Sequence, residues 1–399
     1  MAHHVLVIGG GYAGLLAAKR IARQVRRDEV RVTLVNDHEN FVERIRLHQM
    51  ATGQRLPTRT LAGMVRGTGV RVVVGEVVAL DRRARQVRLR TEERSRVIGY
   101  DTLVYALGSG ADTETVPGVA DHAYSLADVE HARAFASKAL RELAASGRRV
   151  CVVGGGLTGI ETAAELAEFY PDLRVCLVSG EVVGPGLSKG GRAHVRRVMS
   201  ALEVEIREHA KVKEVTADGL VLVDGTRVEA GAVIWNAGFS VPSLARESGL
   251  EVDGDGRALV DDTQRSTTDA DLYVIGDAAR VIGPGGRELR MACATGTPMA
   301  VTAADAIADR LTGRIPRGHR FGYIMQTVSL GRGDGLCQFV RPDDTPRRLF
   351  FTGRPGRVGE GAGGAPRGRA LPVPDRPVPG QAPAPGPPAL TPVPQGAAA

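Results

Sequence analysis

The stretch Val5-Leu-Val-Ile-Gly-Gly-Gly-Tyr-Ala-Gly14 decides the fold, because it returns almost intact as Val150-Cys-Val-Val-Gly-Gly-Gly-Leu-Thr-Gly159. Each copy is a short apolar run of strand type followed by a glycine-rich turn. A helical pattern follows each turn, over residues 15–23 and 160–168, and both are rich in good helix formers. A second apolar run comes next, at 30–35 and again at 173–178. A strand–turn–helix–strand unit used twice predicts an α/β chain. Its parallel sheets would be joined by crossover helices, giving two Rossmann-like dinucleotide-binding domains.

Working outward, residues 70–80 and 86–89 read as antiparallel strands, and Tyr100-Asp-Thr-Leu-Val-Tyr-Ala-Leu-Gly108 as a strand returning to the first sheet. The second copy has a matching set. Ala217-Asp-Gly-Leu-Val-Leu-Val-Asp-Gly225 is a hairpin by its Asp-Gly punctuation, and Ala232-Val-Ile-Trp-Asn-Ala-Gly238 is the returning strand. Asp271-Leu-Tyr-Val-Ile-Gly-Asp277 is one more buried strand with a glycine and an acid at its exit. This order predicts nesting. The first domain comprises residues 1–115 and 246–315, the second 116–245, and a short C-terminal α+β piece 316–354. From 355 to 399 the chain holds 12 Pro and 9 Gly, a make-up that favours polyproline or disorder over a packed core. That tail reads either as a native disordered extension or as out-of-frame translation of GC-rich DNA.

A length of 399 residues exceeds what a single hydrophobic core organises, about 250–300 residues. The formal charge is +7, which raises the question of nucleic acid. Only 5 of the 52 basic residues are Lys, however, and the Arg residues occur in scattered short groups with aromatics at 4%. Scatter without stacking platforms reads as a solvated surface, not a nucleic-acid stripe. Four cysteines exclude a disulfide scaffold. No apolar run approaches the roughly 20 residues of a membrane span. Met1-Ala2-His3-His4 runs directly into an apolar strand, so a secretory leader is not expected and the cytoplasm is the expected location.

The glycine spacing carries chemistry. In Gly9-x-Gly11-x-x-Gly14 the first glycine permits the tight turn, the second lets a pyrophosphate approach the backbone, and the third packs helix against strand. The helix N-terminus then offers free N–H groups and a partial positive charge to the phosphates. Gly154-x-Gly156-x-x-Gly159 repeats the device, so two dinucleotides are expected. An acid at the end of the second strand would meet a ribose hydroxyl. The first copy instead ends in Asn36 and then Asp37, while the second ends in Ser179, with Glu181 two places later. These strand ends specify neither NADH nor NADPH.

The pattern resembles the two-dinucleotide flavoproteins of the pyridine nucleotide-disulfide reductase superfamily, and within it is most similar to type II NADH dehydrogenases and their actinobacterial relatives. The match spans about residues 4–354. It rests on both glycine turns, on Thr102-Leu-Val-Tyr-Ala-Leu-Gly108 with Val116-Pro-Gly118, on Trp235-Asn-Ala-Gly238 and on Gly276-Asp277. The resemblance implies FAD held by Gly9, Gly11, Tyr12, Ala13, Gly14, Asn36, Asp37, Val77, Ala106, Gly108, Gly276 and Asp277. NADH or NADPH would be held by Gly154, Gly156, Gly159, Ser179, Asn236 and Gly238. Hydride would pass from NAD(P)H to the flavin and electrons onward to a second acceptor. Glu161 is the candidate polar group beside the nicotinamide, its alternative being an ordinary helix acid that complements the dipole.

Departures from the family are equally legible. The Cys-x4-Cys and Cys-x-x-Cys pairs of dithiol reductases are missing. Cys151 and Cys176 fall in core strands, Cys293 and Cys337 lie far apart in sequence, and the expectation for all four is a small buried hydrophobe, with a Cys293–Cys337 pair as the alternative that only geometry decides. No metal site is expected. Where type II enzymes carry a glutamine-rich quinone-docking stretch, this chain has Met291-Ala-Cys-Ala-Thr-Gly-Thr-Pro-Met-Ala300. The acceptor implied is a quinone or another small diffusible molecule, with a homodimer as a further expectation. The C-terminal amphipathic helices that hold type II enzymes to the membrane are missing as well, so a peripheral location at the inner membrane face is the alternative to the cytoplasm. The rivals are an NAD(P)H:ferredoxin or rubredoxin reductase and a non-catalytic flavin- or nucleotide-binding regulatory protein. Finally, Phe41-Val-Glu-Arg-Ile-Arg-Leu-His-Gln-Met50 reads as a helix with Val42, Ile45 and Met50 inward. The alternative is that Arg44, Arg46 and His48 reach the flavin or a substrate.

Overall fold

The computed structural model describes residues 2–353 apart from Glu93 and Arg320. The tail expected from residue 355 onward lies outside the described residues. The first apolar run becomes the strand His3–Ile8 at the centre of a five-stranded sheet. The strand order is Leu272–Val274, Thr102–Tyr105, His3–Ile8, Val30–Asn36, Arg71–Val74, and every pairing is parallel. Val5, Leu6, Val7 and Ile8 are fully buried, as a continuous apolar run requires when both sheet faces are covered by helices. The second sheet repeats the plan in the order Glu205–Arg207, Val175–Val178, Val150–Val153, Ala232–Trp235, Ala123–Ser125, again all parallel.

The crossover helices are Tyr12–Gln24 and Leu157–Phe169. Each begins earlier than the sequence pattern suggested, because the last glycine of the turn already lies inside the helix. Tyr12–Gln24 packs along the long helix Cys293–Leu311, and Arg20 closes that contact with a forked pair of bonds to Asp305. Leu272–Val274 completes the first sheet only after the second has been built. The chain crosses between the sheets twice, and the two passages, Gly110–Ala111 and Phe239–Ser240, pair antiparallel.

Two local expectations needed correction. Residues 70–80 are not one strand. The parallel edge strand Arg71–Val74 ends where the Gly75 N–H donates to Asn36 O at 2.8 Å. The chain then turns into Glu76–Asp81, which pairs antiparallel with Gln86–Arg90, and Ser95–Gly99 adds an unforeseen third strand. Likewise the hairpin at 217–225 belongs to a three-stranded meander of Val212–Thr216, Gly219–Leu222 and Arg227–Glu229. Both of its Asp-Gly pairs mark turns, with Gly219 and Gly225 in left-handed backbone.

The C-terminal strands Met325–Leu330, Asp334–Val340 and Pro346–Thr352 form an antiparallel sheet set against Leu157–Phe169 and Lys189–Ala201. A buried carboxylate joins three parts of the molecule here. Glu165 is fully buried; its Oε1 accepts from Arg332 Nε and Nη2 at 2.9 and 2.6 Å and from Gln54 Nε2 at 2.5 Å. Arg332→Ala strands that charge. The expected cost is about 3 kcal/mol, the low end of the range for broken buried pairs, because Arg332 itself is 38% exposed. A thermal melt several degrees below wild type is the expected reading, and an unchanged melt would show that the pair contributes nothing. Among the described residues no helix is long and apolar enough to cross a membrane.

Candidate active site

At the first glycine turn, Gly9 has φ +101°, and a Cβ there would stand 2.2 Å from Ala106 O. A Cβ on Gly14 would stand 1.9 Å from Gly9 O. These two glycines are therefore needed by the protein's own packing. Gly11 differs, because a Cβ there would meet nothing within 4 Å. Gly11 opens the helix Tyr12–Gln24, no side chain caps it, and no acid occupies the first turn. Free N–H groups facing open space are what a pyrophosphate needs, so the residues present fit a dinucleotide. Asn36 has a task besides any ribose contact, since its Oδ1 accepts from Gly10 N at 2.7 Å and its Nδ2 donates to His38 O at 2.9 Å. The carboxylate that stays exposed is that of Asp37, held below the usual range mainly by the hydrogen bond from the His38 ring. Val77 lies half-buried on Glu76–Asp81, against the first core.

The strand exits gather around this turn. Gly276 lies against Ala13 and Gly296, and its neighbour Asp277 accepts from the Ser109 hydroxyl at 2.6 Å. Arg44 Nη1 donates to Ser109 O at 2.7 Å, beside Gly108. Ser109 escaped sequence reading because nothing but its place after Gly108 marks it. The 41–50 segment also needs correction. It is a 3-10 turn, Arg44–Arg46, running into a short helix, Leu47–Ala51. Ile45 is exposed, whereas His48 and Gln49 are buried. The helical phase slips at the 3-10 turn, so Ile45 turns outward and His48 and Gln49 inward, while Val42 and Met50 pack against the second core as expected.

The second turn has the same geometry. Gly154 has φ +124°, and a Cβ there would stand 2.7 Å from Asn236 O; one on Gly159 would stand 1.8 Å from Gly154 O. Gly156 faces open space at an uncapped helix N-terminus. Asn236 Nδ2 donates to Thr162 Oγ1 at 3.2 Å, tying the returning strand to that helix. Ser179 is buried against Gly155, which has room for it only because it lacks a Cβ. Gly238 is set apart from the others, in left-handed backbone beside Asp112 where the chain crosses between the sheets.

Glu161 stands in the second helix, and its Oε1 accepts from the Ser329 N–H at 3.2 Å, which fastens the C-terminal sheet to the helix. The charges of Asp277 and Glu161 both reach the Cys293 thiol, and Tyr12 feels that thiol in turn. Cys293 lies one helical turn before Gly296, which stands against Gly276 and against Ala13 of the first glycine turn. Cys151, Cys176 and Cys337 are buried and all four cysteines are free, but Cys293 is exposed, contrary to the expectation for it. It opens the helix Cys293–Leu311, whose first two residues, Cys293 and Ala294, are both exposed. Partial enclosure nevertheless pushes the thiol up. Iodoacetamide is expected to modify Cys293 before the other three, slowly at pH 7.5 and faster towards pH 9.5 as the thiolate fraction grows. Peptide mapping that found another cysteine labelled first would contradict this.

The model of the pyridine nucleotide-disulphide oxidoreductase family matches residues 3–308, and the chain belongs to that family of FAD- and NAD(P)H-using oxidoreductases. The NADH dehydrogenase-like protein Rv1812c of Mycobacterium tuberculosis is 30% identical over 89% of this chain and 91% of its own length. A type II NADH:quinone oxidoreductase of Staphylococcus haemolyticus is 27% identical over 87% of this chain and 92% of its own. Among solved structures, NDH2 of Plasmodium falciparum in complex with NADH shares the fold with a TM-score of 0.78 at 14% identity, covering 90% of this chain and 93% of that one. The sulfide:quinone oxidoreductase of Aquifex aeolicus does so with a TM-score of 0.77 at 19% identity, covering 90% and 89%.

Proposed function

We propose that this enzyme transfers electrons from NAD(P)H, through FAD, to a quinone-like diffusible acceptor without a redox-active disulfide. The observation that carries the reading is the pair of uncapped helix N-termini at Gly11 and Gly156, both facing open space, in a chain whose four cysteines are all free. The first turn, with Asp277 and Asp37, holds FAD, which supplies the hydride-accepting and electron-passing chemistry when bound. The second turn holds the nucleotide, and Asn236, through Thr162, keeps its strand and helix in register. Ser109 fixes the Asp277 carboxylate, and Arg44 fixes Ser109. Glu161, held by the Ser329 N–H, presents the polar edge nearest the nicotinamide. The domain division follows the same reading: FAD on residues 1–115 and 246–315, nucleotide on 116–245, and 316–354 as the acceptor-side cover. The protein works in the cytoplasm and meets its acceptor at the inner membrane face.

Anaerobic titration tests this in one cuvette. Purified yellow protein is expected to bleach on addition of NADH or NADPH and to recover its colour with menadione. Recovery with ferredoxin but not with menadione would replace the quinone-like acceptor with a small protein. A flavin that neither nucleotide bleaches would make the chain a binding protein and overturn the enzyme reading.

A further inference from the structure

We infer that the second nucleotide site selects NADPH, and that Lys211 is the residue that recognises its 2′-phosphate. The inference rests on the proposed NAD(P)H reading and names the donor. In dinucleotide folds the side chain at the end of the second strand faces the adenosine ribose. A carboxylate there accepts from the 2′-hydroxyl and repels a 2′-phosphate, whereas a nearby cation welcomes the phosphate. Here that place belongs to Ser179, whose hydroxyl oxygen accepts from the Glu181 N–H at 3.3 Å. Next comes Gly180, which has no side chain to close the site.

Lys211 stands across from Gly180. The Lys211 Cα, Cβ and Cγ lie 3.8, 3.8 and 3.9 Å from where a Gly180 Cβ would be. The backbone holds this arrangement firmly, since Ser179 N donates to Arg207 O and Ala210 N donates to Ser179 O, both at 2.8 Å. Other cations nearby are already engaged. Arg207 bonds Glu205 at 2.7 Å, and Arg196 bonds Glu208 at 2.7 and 2.6 Å. Lys211 is exposed, and among the described residues no ion pair holds it. His209, also exposed, flanks it in left-handed backbone. Glu181 is the acid of the neighbourhood. It lies two residues past the strand-end position and faces solvent, so it does not occupy the place from which a carboxylate rejects a 2′-phosphate.

The test uses the holoenzyme and two fragments that differ only by the phosphate, 2′,5′-ADP and 5′-AMP, with binding measured by calorimetry. Wild type is expected to bind 2′,5′-ADP at least about tenfold more tightly, as a charge-assisted contact to phosphate provides. Lys211→Ala should erase that advantage, and Lys211→Glu should reverse it. In turnover, the ratio of kcat/KM for NADPH over NADH should fall at least about tenfold in Lys211→Ala, with the change in KM. Because Lys211 is exposed, an unchanged melting temperature confirms that the variants fold. Equal binding of the two fragments, or preference for 5′-AMP, would overturn the inference and assign the ribose to Glu181. If NADH bleaches the flavin in that event, the proposed function stands. If neither nucleotide bleaches it, the proposed function fails, whatever the fragments show.

Discussion

Gly14→Ala is expected to give a colourless protein with little folded material. The new Cβ would sit 1.9 Å from Gly9 O, well over 1 Å inside ordinary contact, and the obstacle is backbone that cannot rotate away. Helix Tyr12–Gln24 would have to lift from the strand His3–Ile8, which lies at the centre of the first sheet. Overpacking in a tight core costs about 1–3 kcal/mol and occasionally more. On the proposed function the same helix N-terminus holds the FAD pyrophosphate, so FAD affinity is expected to fall at least about 100-fold, near 3 kcal/mol. Gly11→Ala separates the two effects. It has φ −69° and nothing within 4 Å, so the protein should fold and melt near wild type yet bind FAD poorly, since the methyl enters the space a phosphate needs. Flavin absorbance per protein after gel filtration measures both. A Gly14→Ala protein with full flavin and a wild-type melt would show that the turn is not the FAD site.

Gly159→Ala is the matching experiment at the second turn, with a different outcome. Its Cβ would stand 1.8 Å from Gly154 O, displacing helix Leu157–Phe169 from the strand Val150–Val153. The first sheet does not depend on that contact, so the protein should purify yellow. Stopped-flow reduction by NAD(P)H is expected to slow at least about 100-fold at subsaturating nucleotide. Gly156→Ala, with open space around it, should keep wild-type stability and raise KM with little change in melting. If Gly159→Ala were reduced as fast as wild type, the second turn would not hold the electron donor.

Much of this architecture could be read directly from the residues. The duplicated run at 5–14 and 150–159 specified the central strands of both parallel sheets and both crossover helices, because apolar runs and glycine spacing are local signals. The second sheet's outer strands, Glu205–Arg207 and Ala123–Ser125, carry no comparable apolar run. The misreadings share one cause. Residues 70–80 look uniform, and only the Gly75 bond to Asn36 O shows where one sheet ends and another begins. Ile45 and His48 exchange expected sides because a 3-10 turn shifts the phase. Nothing in the sequence distinguishes Cys293 from the buried cysteines, yet it opens a helix and is exposed.

The sequence by itself determined two strand–turn–helix cradles, the glycines that shape their turns, and the lack of a strand-end acid after the second. Those are properties of short segments, where backbone conformation and side-chain size act within a few residues. Only the tertiary structure decided what surrounds the cradles. It joined Arg44 to Ser109 and Ser109 to Asp277, engaged Glu161 through the Ser329 N–H and laid Lys211 against Gly180. Each of these contacts joins residues 31 to 168 positions apart. Such pairings depend on how the sheets and their helices pack, which no local pattern encodes.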